Sequence, residues 1–338
     1  MLCAIKKNNY KMRINWEKKI KIDTEWTTRQ LVNHFTNKST KVIIRAYTPK
    51  VSGTKFCCNA LIEELGYLLP YYVHSEKSKK NKLKALTILY GENLAKERLQ
   101  TALYSEAQAF FGKKDPATDG KYGELLLFAL CESILKSKMV AHKIEGLSNG
   151  KDQVKGGDGI FLGNYELPNG KIAPAIFIGE SKIMQERSKS IDEALDSINR
   201  FHDAETQAEF NKMEFIVANR TLSLDENDLD YEEVYERLTP GSEKFKDQIT
   251  VHPILLMYNT ASISKLETKA LDKDHLELLI SNHLMQKKDE ITNTINEKLE
   301  QYPEIKKVYV DFFCFPFNNI DTFRNGMYFN IHKVAYTQ

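Results

Sequence analysis

The run Ala175-Ile176-Phe177-Ile178 constrains this chain more than any other feature. In an extended segment successive side chains point to opposite faces, so four apolar residues in a row demand cover on both. A strand covered on both sides lies inside a sheet with helices above and below it, which is the layering of α/β folds. The run ends in Glu180-Ser181-Lys182. Glu180 and Lys182 are two residues apart and emerge on one face. The strand therefore carries its polar chemistry at one end.

The preceding segment supplies a partner strand. Pro168-Asn169-Gly170 has the chemistry of a three-residue hairpin loop: Pro sets φ at the first position, Asn tolerates the second, and Gly takes the left-handed third. With residues 167 and 171 closing the loop, the register puts Asp158 directly opposite Glu180. Cross-strand neighbours lie about 5 Å apart at Cβ. Two carboxylates that close repel unless one keeps a proton or a cation sits between them. A divalent metal is the usual resolution. Mg²⁺ is held by one or two carboxylates plus waters and phosphate oxygens, and Mn²⁺ accepts the same oxygen donors.

Upstream, KYGELLLFALCESIL (121–135) reads as a helix. Glu124 shares a face there with Leu127, Phe128, Cys131 and Leu135. A carboxylate on an apolar stripe is costly unless it is paired or coordinates something. Glu124 is the third candidate acid.

Other chemistries lack their residues. The eight histidines form no H-x-x-x-H or H-E-x-x-H set. His142 and His202, the nearest to the acids in sequence, read as structural. Five cysteines, with Cys57 and Cys58 adjacent, make neither a disulfide framework nor a C-x-x-C metal pair. No apolar run approaches the roughly 18 residues of a membrane span, and no signal-peptide pattern opens the chain. The expected setting is cytoplasmic. A net charge of +2 means that any nucleic-acid surface must come from clustered rather than excess cations.

The densest basic cluster is Glu76–Lys84, with Lys77, Lys79, Lys80, Lys82 and Lys84. It reads as a solvated loop and helix start, or as an edge that contacts phosphates. On the second reading Lys77, Lys79 and Lys80, with Lys155 from the glycine-rich 146–159 stretch, are the candidate nucleic-acid contacts. That stretch is no Walker A loop, because no Gly-Lys-Ser/Thr follows.

Elsewhere, Trp16 and Trp26 are expected anchors and 41–47 a strand. A helix over 58–69 is expected to stop at Pro70, with a short strand after it. A long helical pattern runs to about Phe111. The loop 112–120 then separates an N-terminal α/β region (1–115) from a core (116–338). Ser190 and Glu193 form a capping box for a helix after the Glu-x-Lys strand. Segments 213–219, 249–258 and 308–317 read as strands. The acidic run 224–238 reads as a solvated helix or a partner surface, and the apolar 308–317 segment as a second such surface.

Glu on a helix, then Asp, then Glu-x-Lys across a hairpin is the pattern of the PD-(D/E)xK, or restriction-endonuclease-like, nucleases. The wording GELLLFALCE, GGDGIFLG and IFIGESKI resembles more particularly HamA, the nuclease subunit of bacterial Hachiman anti-phage systems. The motif resemblance covers about residues 121–200, and Gly157 stands where the superfamily's name has Pro. It implies a mixed central β-sheet flanked by helices, with a restriction-endonuclease-like core. It further implies Mg²⁺ on Asp158 and Glu180, helped by Glu124, and Lys182 acting on the attacking water and the developing charge. DNA would be the substrate, and a partner helicase (HamB-like) would form a heterodimer with the chain and restrain it. Two rivals differ in kind. One is a nuclease-fold subunit that binds nucleic acid or scaffolds without catalysis. The other is a two-carboxylate glycosidase, which gives no reason for Lys182 beside Glu180.

Overall fold

A computed structural model describes residues 14–142, 158–202, 231–239 and 241–337. Lys155, the glycine-rich stretch up to residue 157, the expected strand 213–219 and the 224–230 part of the acidic run lie outside the described residues.

Among the described residues seven strands form one mixed sheet in the order β1-β2-β7-β6-β5-β4-β3. They are β1 (Leu31–Lys38), β2 (Val42–Pro49), β3 (Lys138–His142), β4 (Gly159–Glu166), β5 (Ile172–Met184), β6 (Ile249–Asn259) and β7 (Tyr309–Phe317). Strands β2, β7, β6 and β5 run parallel, while β1 and the β3–β4–β5 meander are antiparallel. The apolar run sits inside this sheet on β5, with Ala175–Glu180 all buried. The first 115 residues contribute β1 and β2 to the same sheet.

Helices cover both faces, as two-sided apolar strands require. They are α1 (Trp16–Lys19), α2 (Trp26–Gln30), α3 (Asn59–Val73), α4 (Glu76–Tyr90), α5 (Glu92–Phe111), α6 (Lys121–Ser133) and α7 (Arg187–Asn199). After these come α8 (Tyr231–Leu238), α9 (Lys273–Gln286), α10 (Lys288–Leu299) and α11 (Ile320–His332). Residues of α3, α5, α6 and α11 share one core with Phe177, Leu255, Phe313 and Phe315. On the other face α7 and α10 pack on Ile254, Leu256, Phe312 and Cys314. Toward β3–β5, Trp16, Val234 and Leu238 cover Ile160, Ile176 and Ile178 there. Phe312 and Cys314 thus alternate with Phe313 and Phe315, the period-2 signature of a strand. Among the described residues no helix is long and apolar enough to cross a membrane.

Several local expectations are corrected. Pro70 lies inside α3, and residues 70–73 are its last turn rather than a strand. A single turn follows Pro70, so its missing N–H costs one bond near the helix end. The burial of Leu68, Leu69 and Tyr72 holds that turn in place. The long helical pattern divides at Gly91, whose φ of +76° ends α4 and which L side chains rarely adopt. Helix α7 starts at Arg187, and the Ser190 hydroxyl donates to the Arg187 carbonyl at 2.7 Å instead of capping. The described end of the acidic run is α8, which buries Val234, Arg237 and Leu238. Arg237 donates to the Ala175 carbonyl at 2.8 Å, so this helix pins the hairpin. The apolar 308–317 segment is the interior strand β7, with Val310–Phe317 buried, and offers no partner surface.

Candidate active site

The β4–β5 hairpin has the expected register. Leu167 and Lys171 close the loop, Gly170 has φ +77°, and pairing runs from Glu166–Ile172 to Gly159–Gly179. Regular pairing ends there, one residue short of Asp158. The Asp158 N–H donates to the Gly179 carbonyl at 2.8 Å. Its Oδ2 accepts from the Ser181 N–H at 2.7 Å and from Ser181 Oγ at 2.6 Å. Asp158 is therefore tied to the residue after Glu180, not simply set opposite it. The physical reason is plain: a second carboxylate repels it, and Ser181 presents two donors one residue further on.

Glu180 lies on the face of Ile176 and Ile178, toward α7. Burial and then the Asp158 charge push its carboxyl up to about 7, against the opposing pull of Lys182 and Ser197. Lys182 Nζ sits 2.7 Å from Glu180 Oε1, with 22% of its side chain exposed. A buried carboxylate beside another carboxylate, with one ammonium against it, is an unbalanced cluster that gains from a further cation.

Glu124 approaches from the opposite face. It stands in the first turn of α6, where the helix dipole favours negative charge. The Tyr72 hydroxyl donates to its Oε2 at 3.0 Å. Burial first, and Glu124 next, hold the Tyr72 phenol well above its ordinary range, so it stays a donor. Phe128 and Phe111 pack on the Tyr72 ring at 5.5 and 6.1 Å between centroids. Two glycines let α6 lie this close to β5. A Cβ on Gly179 would stand 2.8 Å from Leu127 Cδ2, and one on Gly123 would stand 2.9 Å from Ser181 Oγ.

The three acids are all buried, with Glu180 4% and Asp158 and Glu124 each 9% exposed. Among the described residues no three His, Cys, Asp or Glu side chains converge as a ready-made metal cage. The donor set fits Mg²⁺ nonetheless: that ion takes one or two carboxylates and leaves its other positions to water and substrate phosphate.

Of the other candidates, Lys77 and Lys80 are exposed on α4. Lys79 is 2.9 Å from Glu76 and lies 4.3 Å over the Tyr71 ring. Beside it a small crevice is lined by Lys21, Tyr71, Tyr72, His74, Ser75, Glu76, Lys79, Lys138 and Met139. His202 pairs with the fully buried His252, Nε2 to Nε2 at 2.9 Å. His252 Nδ1 lies 3.1 Å from the Ile178 carbonyl, which only accepts, so Nδ1 carries the proton and Nε2 accepts from His202. Burial holds His252 down to about 3, a neutral core histidine.

Sequence reasoning did not single out Ser181, Tyr72, Gly123 or Gly179. The glycines left a signal, being the smallest residues beside each acid in otherwise large apolar elements. Tyr72 left none, because it reaches Glu124 across 52 positions of chain.

A family model described as HamA matches residues 21–331 of the chain. No curated protein matches it.

Proposed function

The chain belongs to the HamA family, and from that premise we propose that it is a metal-dependent DNA nuclease subunit of a Hachiman anti-phage defence complex. One observation carries the reading: Asp158 and Glu180 are buried within electrostatic reach of each other where β4 stops pairing with β5, with Lys182 Nζ 2.7 Å from Glu180. The order α6, β3, β4, β5, α7 supports the restriction-endonuclease-like core that the sequence resemblance implied.

Asp158 and Glu180 hold Mg²⁺ or Mn²⁺, and Glu124, fixed by Tyr72, adds negative charge from the α6 side. The bound ion supplies Lewis-acid neutralisation of the phosphate and a more acidic water. Lys182 orients the attacking water beside Glu180 and steadies the negative charge that grows on the phosphoryl oxygens. Lys77, Lys79 and Lys80 on α4, with Lys155, contact the nucleic-acid backbone.

A free nuclease would endanger its host, and this chain carries no P-loop Gly-Lys-Ser/Thr with which to sense or spend ATP. We assign that role to a partner helicase. Co-expression with a helicase and size-exclusion chromatography tests the pairing; a chain that stays monomeric and cuts at full rate, unchanged by helicase and ATP, refutes it. The chemistry is tested on plasmid and linear DNA with Mg²⁺, Mn²⁺ or EDTA, beside Asp158→Asn. Cleavage should need the ion and vanish in the variant. Cleavage that persists in both EDTA and the variant refutes the metal site.

A further inference from the structure

We propose that Ser181, the residue between Glu180 and Lys182, is the positioning residue for Asp158, and that Gly123 of α6 keeps its place open. The inference rests on the metal-site reading above and names what holds one of its two ligands in aim.

Asp158 stands one residue past the last regular pair of β4 and β5. The ladder fixes its backbone through Gly179 but not its carboxylate. A ligand must hold its rotamer before the ion arrives, or ordering it diminishes the binding energy. Ser181 fixes that rotamer with two donors on a single oxygen, its N–H at 2.7 Å and its hydroxyl at 2.6 Å. Hydrogen bonds to an ionised acceptor are among the stronger ones and set direction as well as energy.

The surroundings of Ser181 argue that the hydroxyl is there for Asp158. Its side chain lies on the α6 face of β5, between Gly179 and Ile183, where packing alone would suit an apolar residue. A Cβ at Gly123 would come within 2.9 Å of Ser181 Oγ, 3.2 Å of its Cβ and 3.3 Å of Ile183 Cγ1. Any larger residue at 123 would drive the hydroxyl away from Asp158 or lift α6, which carries Glu124. Gly123 and Ser181 thus join the helix that bears one acid to the strand end that holds the others.

Outer partners of metal ligands typically contribute about 10–100-fold to affinity or activity. One of the two Ser181 donors is backbone and survives substitution, so the lower end applies. The test is Mn²⁺ binding by calorimetry, with Mg²⁺ titrations of DNA cleavage alongside. Ser181→Ala removes the hydroxyl, and Ser181→Cys keeps the volume but replaces a good donor with a weak one. Both should bind Mn²⁺ about 10-fold more weakly and need correspondingly more Mg²⁺ for half-maximal cleavage. At saturating Mg²⁺ both should keep most of their kcat. Gly123→Ala should shift the same affinity from the helix side. A Ser181→Cys chain with wild-type Mn²⁺ affinity would show a packing role and overturn the proposal, whatever Ser181→Ala does to folding. If the wild type itself binds no Mn²⁺, the metal-site reading fails and this inference with it. Wild-type binding left unchanged by both Ser181 variants overturns only the role of Ser181.

Discussion

Glu180→Gln should stabilise the metal-free protein, and the gain should grow with pH. The Glu180 carboxyl is raised to about 7 in the fold, from an ordinary value of 4.5, first by burial and then by Asp158. Below the unfolded value both states hold the proton and the residue contributes nothing. As pH climbs from 4.5 to 7 the unfolded chain releases it while the fold keeps it, so wild-type stability falls. Above 7 the folded protein must carry the buried charge, and the full penalty stands. At about 1.4 kcal/mol per pH unit, the interval is worth roughly 3 kcal/mol. Glutamine imitates the protonated carboxyl in shape and escapes this penalty. Urea unfolding of both proteins in EDTA at pH 5, 6, 7 and 8 reads the difference directly. It should be under about 1 kcal/mol at pH 5 and approach about 3 kcal/mol by pH 8. Mg²⁺ at pH 8 should restore the wild type and leave the variant nearly unmoved. A difference that is flat across this range, or that shrinks as pH rises, would refute the raised carboxyl and the repulsion behind it.

Lys182→Ala should still bind Mn²⁺ by calorimetry while losing most of its single-turnover cleavage rate, since Lys182 acts on water and developing charge. Loss of ion binding together with activity would instead make Lys182 a holder of Glu180. Gly179→Ala puts a methyl 2.8 Å from Leu127 Cδ2 and should cost about 1–3 kcal/mol by overpacking; unchanged urea stability would show that α6 yields easily.

What the sequence made legible was local. The apolar run of β5 dictated an interior strand because no one-sided sheet can cover it. Pro168-Asn169-Gly170 dictated the register because loop length and a left-handed glycine leave few alternatives. Both hold from Glu166–Ile172 to Gly159–Gly179. The register could not show where pairing stops, and the electrostatics of Asp158 depend on that last residue. Alternation put Ser181 on the face away from Glu180, and no local rule says that Asp158 bends round the strand end to meet it. Tyr72 was concealed by Pro70, since the rule that Pro ends helices weighs backbone cost without the burial of Leu68 and Leu69 against it. Strands β1 and β3 escaped notice for a related reason. They lie at the two edges of the sheet; in β1 residues such as Asn33 and Thr36 dilute the apolar signal, and β3 is only five residues long.

On the proposed reading, the same geometry would let an ion come and go at this site. Glu180 is held between opposing influences: burial and Asp158 favour its protonated form, while Lys182 and Ser197 favour the charged one. Near neutral pH the two forms are closely matched, so a modest added positive charge decides between them. On the proposed reading an ion would meet one carboxylate already aimed by Ser181 and would take the place of the proton on the other. Gly123 and Gly179 bring α6 close against β5 on one side of this site. Lys182 stays partly exposed beside Glu180, where on the proposed reading a phosphate would approach.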